Sequence, residues 1–305
     1  MDGKALLRST REELLESGDS GFMDDRTTFN YLWEAATEFV NRTHSMQTTS
    51  ELTTVADQAT YTLNYDFLKL YLRTEHKRFY VVLNDGNSNH FILWRDYERI
   101  VSADQGSTNA LIPDFFTILA DPTIPDVVTG TATSTASATG GASTLTDTAA
   151  DFSDVNPGDT VHNTTDESDG VVTGKTSSTV LTTALFDGTA NDWTTLDAYV
   201  IQPQTTFDLI FDPPPSTAGL TVTVYQIKRP DPVYTDFGIY PVPVQYHPAF
   251  ASYAAWRYKY RDIQPNMGDR LFLAWDRAVK QAADQLNLGL NRGSRVTVNL
   301  KNRRR

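Results

Sequence analysis

Oxygen and imidazole side chains must carry any chemistry this chain performs, because its 305 residues include no cysteine. Disulfides, thiolate zinc sites, iron–sulfur clusters and cysteine nucleophiles are therefore excluded. The five histidines, His44, His76, His90, His162 and His247, are far apart and lack i+4 partners, so they read as hydrogen-bonding residues rather than metal ligands. Asp166-Glu167-Ser168-Asp169-Gly170 begins like a calcium loop but lacks the alternating ligands and the closing glutamate. Glu34 and Glu38, one helical turn apart, bring two carboxylates together, yet the apolar stripe beside them makes a solvated flank the simpler reading. No phosphate-cradling loop, dinucleotide fingerprint, nucleophile elbow or H-E-x-x-H helix occurs. The expectation is a protein that is not an enzyme and holds no metal or cofactor.

The strongest pattern is one of charge. With 26 basic and 38 acidic residues the net charge is −12. Residues 291–305 contain six basic side chains and no acid, and removing them leaves −18 on the rest. An acidic body is repelled by phosphate backbones and anionic membranes, which argues against general nucleic-acid binding. A basic terminus can be a nucleic-acid arm. Here Val296, Val298 and Leu300 alternate just before Lys301, Arg303, Arg304 and Arg305, so the segment can also dock on another protein, as strand or pocket anchors followed by rim charges.

The elements that would hold this tail come from both ends of the chain. Leu6, Leu7, Leu14 and Leu15 mark a first helix, and Phe29, Leu32, Trp33, Ala36 and Phe39 a second, with Asp24 or Asp25 as its N-cap. From Glu51 the period shortens: Leu52–Val55 and Tyr61–Leu63 read as a hairpin, followed by strands at 67–73, 78–83, 90–94 and 115–119. Between residues 128 and 200 lie 26 Ser or Thr, ten acids and one base, with short apolar touches separated by Asn-Pro-Gly-Asp and Asp-Gly turns. That spacing predicts a compact all-β module with Trp193 and Tyr199 in its core, projecting without disturbing the rest. Strands resume at 206–211 and 220–227, a proline-rich linker follows, and helices over 248–261 and 268–288 close the chain. The expected fold class is α+β: a helical bundle formed by N- and C-terminal helices, a β portion between them, and an inserted all-β module. The divisions are 1–127 and 201–290 for the core, 128–200 for the module and 291–305 for the tail. The acidic start of the chain and the lack of an 18-residue apolar run predict no leader and no membrane span, hence a product of the cytoplasm.

The run from Leu52 to Leu70, with Thr53-Thr54-Val55, Tyr61-Thr62-Leu63 and Asp66-Phe67-Leu68, resembles the opening of tailed-bacteriophage head-to-tail adaptor (connector) proteins. Asn64 stands where that family often has proline. The closing Tyr240-Pro-Val-Pro, Tyr246–Tyr258 and the last helix are similar to the family's paired C-terminal helices, so the likeness covers 1–127 and 202–305. It implies a virion protein of the phage neck, assembled in the host cytoplasm: a ring, usually dodecameric, that docks on the portal protein through its C-terminal tail. DNA would pass through the lumen without sequence-specific contacts, and a tail or nozzle protein would attach on the far side. The rival reading is a tail-fibre or adhesin-like protein in which the module binds glycans, with Trp193 and Tyr199 as exposed stacking platforms.

Overall fold

A computed structural model describes residues 1–16, 23–71, 80–99, 110–261 and 265–287. Two capped helices open the chain. In α1 (Gly3–Glu13) the Asp2 side chain accepts from the Ala5 amide at 2.9 Å, and in α2 (Asp25–Thr43) Asp24 accepts from the Thr27 amide at 2.6 Å. His44 ends α2 in the left-handed region, its N–H returning to the Val40 carbonyl at 2.8 Å. The chain closes with α3 (His247–Arg261) and α4 (Pro265–Asn287). The four helices pack on one another.

Between them, fourteen strands occur among the described residues. An eight-stranded sheet contains β1 (Gln47–Thr53), β2 (Thr60–Thr62), β3 (Phe67–Leu70), β4 (Tyr80–Asn84), β5 (Asn89–Trp94), β6 (Phe115–Ala120), β13 (Phe207–Asp212) and β14 (Thr221–Lys228). Its order is β1-β14-β4-β5-β6-β13-β2, with β3 beside the far end of β14. The sheet curls around Tyr61, Leu83, Ile92, Phe116, Leu209, Phe211 and Val224. Six further strands form the second sheet: β7 (Val128–Thr131), β8 (Ser143–Thr146), β9 (Thr160–Asn163), β10 (Ser168–Ser177), β11 (Val180–Phe186) and β12 (Ala198–Gln202). Their order is β7-β12-β9-β10-β11-β8, and the Thr133 amide donates to the Thr146 carbonyl at 2.7 Å, drawing the two edges together. The result is a small barrel filled by Phe152, Val161, Leu181, Trp193, Tyr199 and Ile201.

These findings correct three expectations. The fold is mainly β, two curled sheets with helices against them, and not a helical bundle with a β portion. The terminal helices bury their apolar stripes on sheet residues as well as on each other: Val171, Ala184 and Ile227 share one cluster with Leu32, Phe39, Phe250 and Trp275. Second, β1 and β2 do not pair as a hairpin. All seven residues of β1 pair with β14, from Gln47 opposite Ile227 to Thr53 opposite Thr221, and β2 pairs with β13. Local periodicity locates a strand, but its partner is set by which distant strand completes the buried face.

Third, the barrel does not simply project. It interrupts the β6–β13 hairpin, whose last rung joins the Asp121 amide to the Thr206 carbonyl at 3.0 Å. Its incoming and outgoing strands are neighbours, Val128 opposite Ile201. Yet part of its outer face is covered by α2 and by the linker after β14: Phe186 lies 6.4 Å from Phe29 and 6.3 Å from Tyr234 between ring centroids.

Candidate functional site

The tail residues singled out above, Val296, Val298, Leu300, Lys301, Arg303, Arg304 and Arg305, lie outside the described residues, as does His76. The remaining histidines are dispersed. His90 faces Asp85 at 2.9 Å, and that bond together with the Asn87 and Ser88 amides holds the Asp85 carboxyl down at about 2. His162 bonds Asp169, whose carboxyl is lowered chiefly by this contact. His247 is buried, with Nε2 donating to the Val242 carbonyl at 2.8 Å and Nδ1 3.0 Å from the Met1 nitrogen. Among the described residues no group of three or more His, Asp or Glu is placed to hold a metal. The Asp166–Gly170 stretch diverges: Asp166 accepts from Asn163, while Asp169 turns to His162 and Arg26.

Trp193 and Tyr199 are barrel core. Trp193 Nε1 donates to Thr183 Oγ1 at 2.9 Å and Tyr199 donates to Asp147 Oδ2 at 2.8 Å, so each buried polar tip has its partner. Neither ring reaches the surface as a platform for a sugar.

One concave surface does gather chemically distinct groups. Where the linker after β14 and helices α2 and α3 meet, an open cleft of about 400 Å³ is walled by Trp33, Tyr234 and Tyr253. Helical spacing on α2 places Asn30, Trp33, Glu34, Thr37 and Glu38 along one side. Arg229, also in the lining, keeps its guanidinium 5.4 Å from the Trp33 ring while donating to Gln204 Oε1 and the Tyr65 carbonyl, both at 3.3 Å. Trp33 Nε1 donates to the Pro230 carbonyl at 2.9 Å, and Tyr234 donates to Asn30. Gln204, which accepts from Arg229, is itself fixed by Asp159, whose carboxylate accepts from the Asn156 and Gln204 amides at 2.7 and 2.9 Å although burial raises its pKa.

Glu34 and Glu38 are part of this wall and not a bare solvated flank. Glu34 accepts from the Tyr253 hydroxyl at 2.7 Å and from Arg257 Nε at 3.2 Å. Glu38 accepts from Arg42 Nε at 2.5 Å. Burial, then the neighbouring Glu34, raises the Tyr253 phenol above its ordinary range, so it remains a donor. The cleft thus combines aromatic rings with two carboxylates, each paired with an arginine, and the Arg229 guanidinium, so it holds no excess of negative charge. Sequence reasoning singled out Glu34 and Glu38 but read them as a solvated flank, and it missed Arg229 and Tyr234, which stand in the proline-rich linker with no periodicity to mark them.

No known family model matches the chain, and no curated protein does either. No helix among the described residues is long and apolar enough to cross a membrane.

Proposed function

We propose that this chain is a structural, non-enzymatic virion protein of a tailed bacteriophage, a head-to-tail adaptor in the neck. The observation that carries this reading is the division of charge along one chain. A body of net charge −18 is followed, directly after a packed C-terminal helix, by fifteen residues carrying six positive charges and none negative. An acidic body suits a conduit through which DNA slides, since a basic lining would retain the phosphates. The basic segment then supplies the attachment, Val296, Val298 and Leu300 as anchors and Lys301, Arg303, Arg304 and Arg305 as rim charges on the portal protein.

Exposed apolar side chains support an oligomer. Leu93 and Trp94 on β5 and, on the linker before α3, Phe237, Ile239 and Val244 face solvent in the single chain. Exposed apolar side chains on separate elements are what a closed ring, dodecameric in this reading, uses for its heterologous contacts. The neighbouring subunits, the portal and a tail or nozzle protein are the partners. Removing residues 291–305 should leave a folded protein that no longer co-sediments with portal rings; undiminished co-sedimentation defeats the docking role.

A further inference from the structure

We propose that Leu196, at the tip of a barrel turn, is a knob that enters the cleft beside α2 of a second copy of this chain. Residues Thr194 to Asp197 form a β-turn, closed by the Asp197 amide on the Thr194 carbonyl at 3.1 Å. Leu196 is its third residue, with φ +78° and 77% of its surface exposed. An exposed leucine is ordinary, but one kept in the left-handed region is not, since glycine or asparagine would make the same bend with less strain. Fold stability gains nothing from a leucine there, so its use lies in a contact outside the chain. The turn is also held still. The buried Asp197 carboxylate accepts from the Thr194 amide and hydroxyl, both at 2.7 Å. The Leu196 amide donates to the Ala132 carbonyl at 2.8 Å and the Thr195 amide to Thr135 Oγ1 at 3.1 Å. A knob fixed in this way has little freedom left to lose on docking.

The cleft has the complementary character. Its volume of about 400 Å³ takes a leucine side chain together with the adjoining threonines. Trp33 in its wall is only half-buried and offers apolar surface. Leu196 and its exposed neighbours Thr194 and Thr195 carry no charge, which suits a wall whose carboxylates Glu34 and Glu38 are already matched by Arg257 and Arg42. Arg229 in the lining bonds the neutral oxygens of Gln204 and Tyr65 and so adds positive charge. An approaching barrel, with ten acids and one base over residues 128–200, is drawn toward it.

One chain cannot make this contact with itself. Strand β12 begins two residues after Leu196 and ends two residues before Gln204, which fixes Arg229 at the cleft. The strand alone keeps the two places about 13 Å apart, at opposite ends of the barrel. Knob and cleft therefore belong to different surfaces, and copies joined through them stand head to tail, which under a closing rotation gives a ring. The inference rests on the ring within the adaptor reading and names one of its contacts.

Because the chain has no cysteine, introduced ones report without background. Full-length Thr37→Cys protein, its substitution in the cleft lining, is mixed without portal with full-length Thr195→Cys protein under copper–phenanthroline and air. The mixed disulfide should form at least about tenfold faster than with Thr176→Cys protein, whose substitution is exposed near the far end of β10. Adding Leu196→Gly to the Thr195→Cys chain should abolish that advantage without lowering its denaturation midpoint, since glycine accepts the left-handed turn, so the loss reads the contact and not the fold. Equal rates with the two barrel positions, indifference to Leu196→Gly, or a disulfide closing within one chain of the Thr37→Cys, Thr195→Cys double variant overturns the proposal. Portal co-sedimentation reads residues 291–305 instead, so either result can fail while the other stands.

Discussion

Gly158 of the barrel lies against the indole of Trp33 on α2, so close that a Cβ on Gly158 would stand 3.1 Å from Cη2 of the ring. Its φ of +103° is a second reason for glycine at this place. Gly219 shares a positive φ, +85°, but a Cβ there would meet nothing within 4 Å. Both substitutions to alanine should therefore lower stability through backbone strain, of order 1 to 3 kcal/mol. Gly158→Ala should cost more, and the excess over Gly219→Ala in chemical denaturation reads the contact between barrel and helix. Equal losses would mean that Trp33 yields freely.

Arg26 crosses the same junction, with Nη1 3.2 Å from Asp169 and 3.7 Å from Asp187. The partners are well exposed, 43% and 60%, so Arg26→Ala should cost no more than about 1 kcal/mol, shrinking as salt rises. Trp33→Ala, which removes aromatic packing and the bond to Pro230, should cost about 3 kcal/mol with little salt dependence. Denaturant midpoints at low and high salt separate the two, and a larger, salt-independent Arg26 effect would contradict this ranking.

Inside the barrel, Tyr199→Phe leaves the ring in place and takes the donor from Asp147 Oδ2. Asp147 is buried and keeps its bond from the Ala149 amide at 2.9 Å. The expected cost is about 1 to 3 kcal/mol, that of an unsatisfied buried oxygen. Thermal unfolding of the full chain measures it.

Acid should loosen the seam between the chain's two ends. Burial lowers the His247 pKa below its usual 6.5, and His44 is lowered as well, by burial and by Lys69. For a depressed histidine the stabilisation is complete above the unfolded pKa and is lost as pH falls through about 6.5 toward the folded value, because the unfolded chain takes up the proton first. The melting temperature should drop between pH 7 and 5, and His247→Gln should flatten part of that slope. An unchanged slope would move the effect to other groups.

What the residues disclosed on their own followed the range of the forces involved. Caps, helices and strand positions are local, and Asp24 and the α2 stripe could be read directly. The pairing of β1 with β14 joins residues some 170 positions apart, and no local period encodes it. The helical stripes were legible as apolar, but not what they cover: Phe186 and Ala184 look like ordinary module residues until the barrel is set against Phe29. In the cleft, Glu34 and Glu38 were visible as a pair, whereas the partners of Glu34, Tyr253 and Arg257, come from a helix more than 200 residues away.

Among the described residues the barrel is joined to the host sheet at a single hairpin tip, with adjacent strands leading in and out. Any self-contained domain whose termini sit one ladder spacing apart could be exchanged there without altering the order of the eight strands. The toll would fall instead on α2, whose bared Phe29 and Trp33 would select among replacements for those presenting a matching apolar flank. Interchangeability at this position is thus filtered by a helix and not by the sheet that carries the graft.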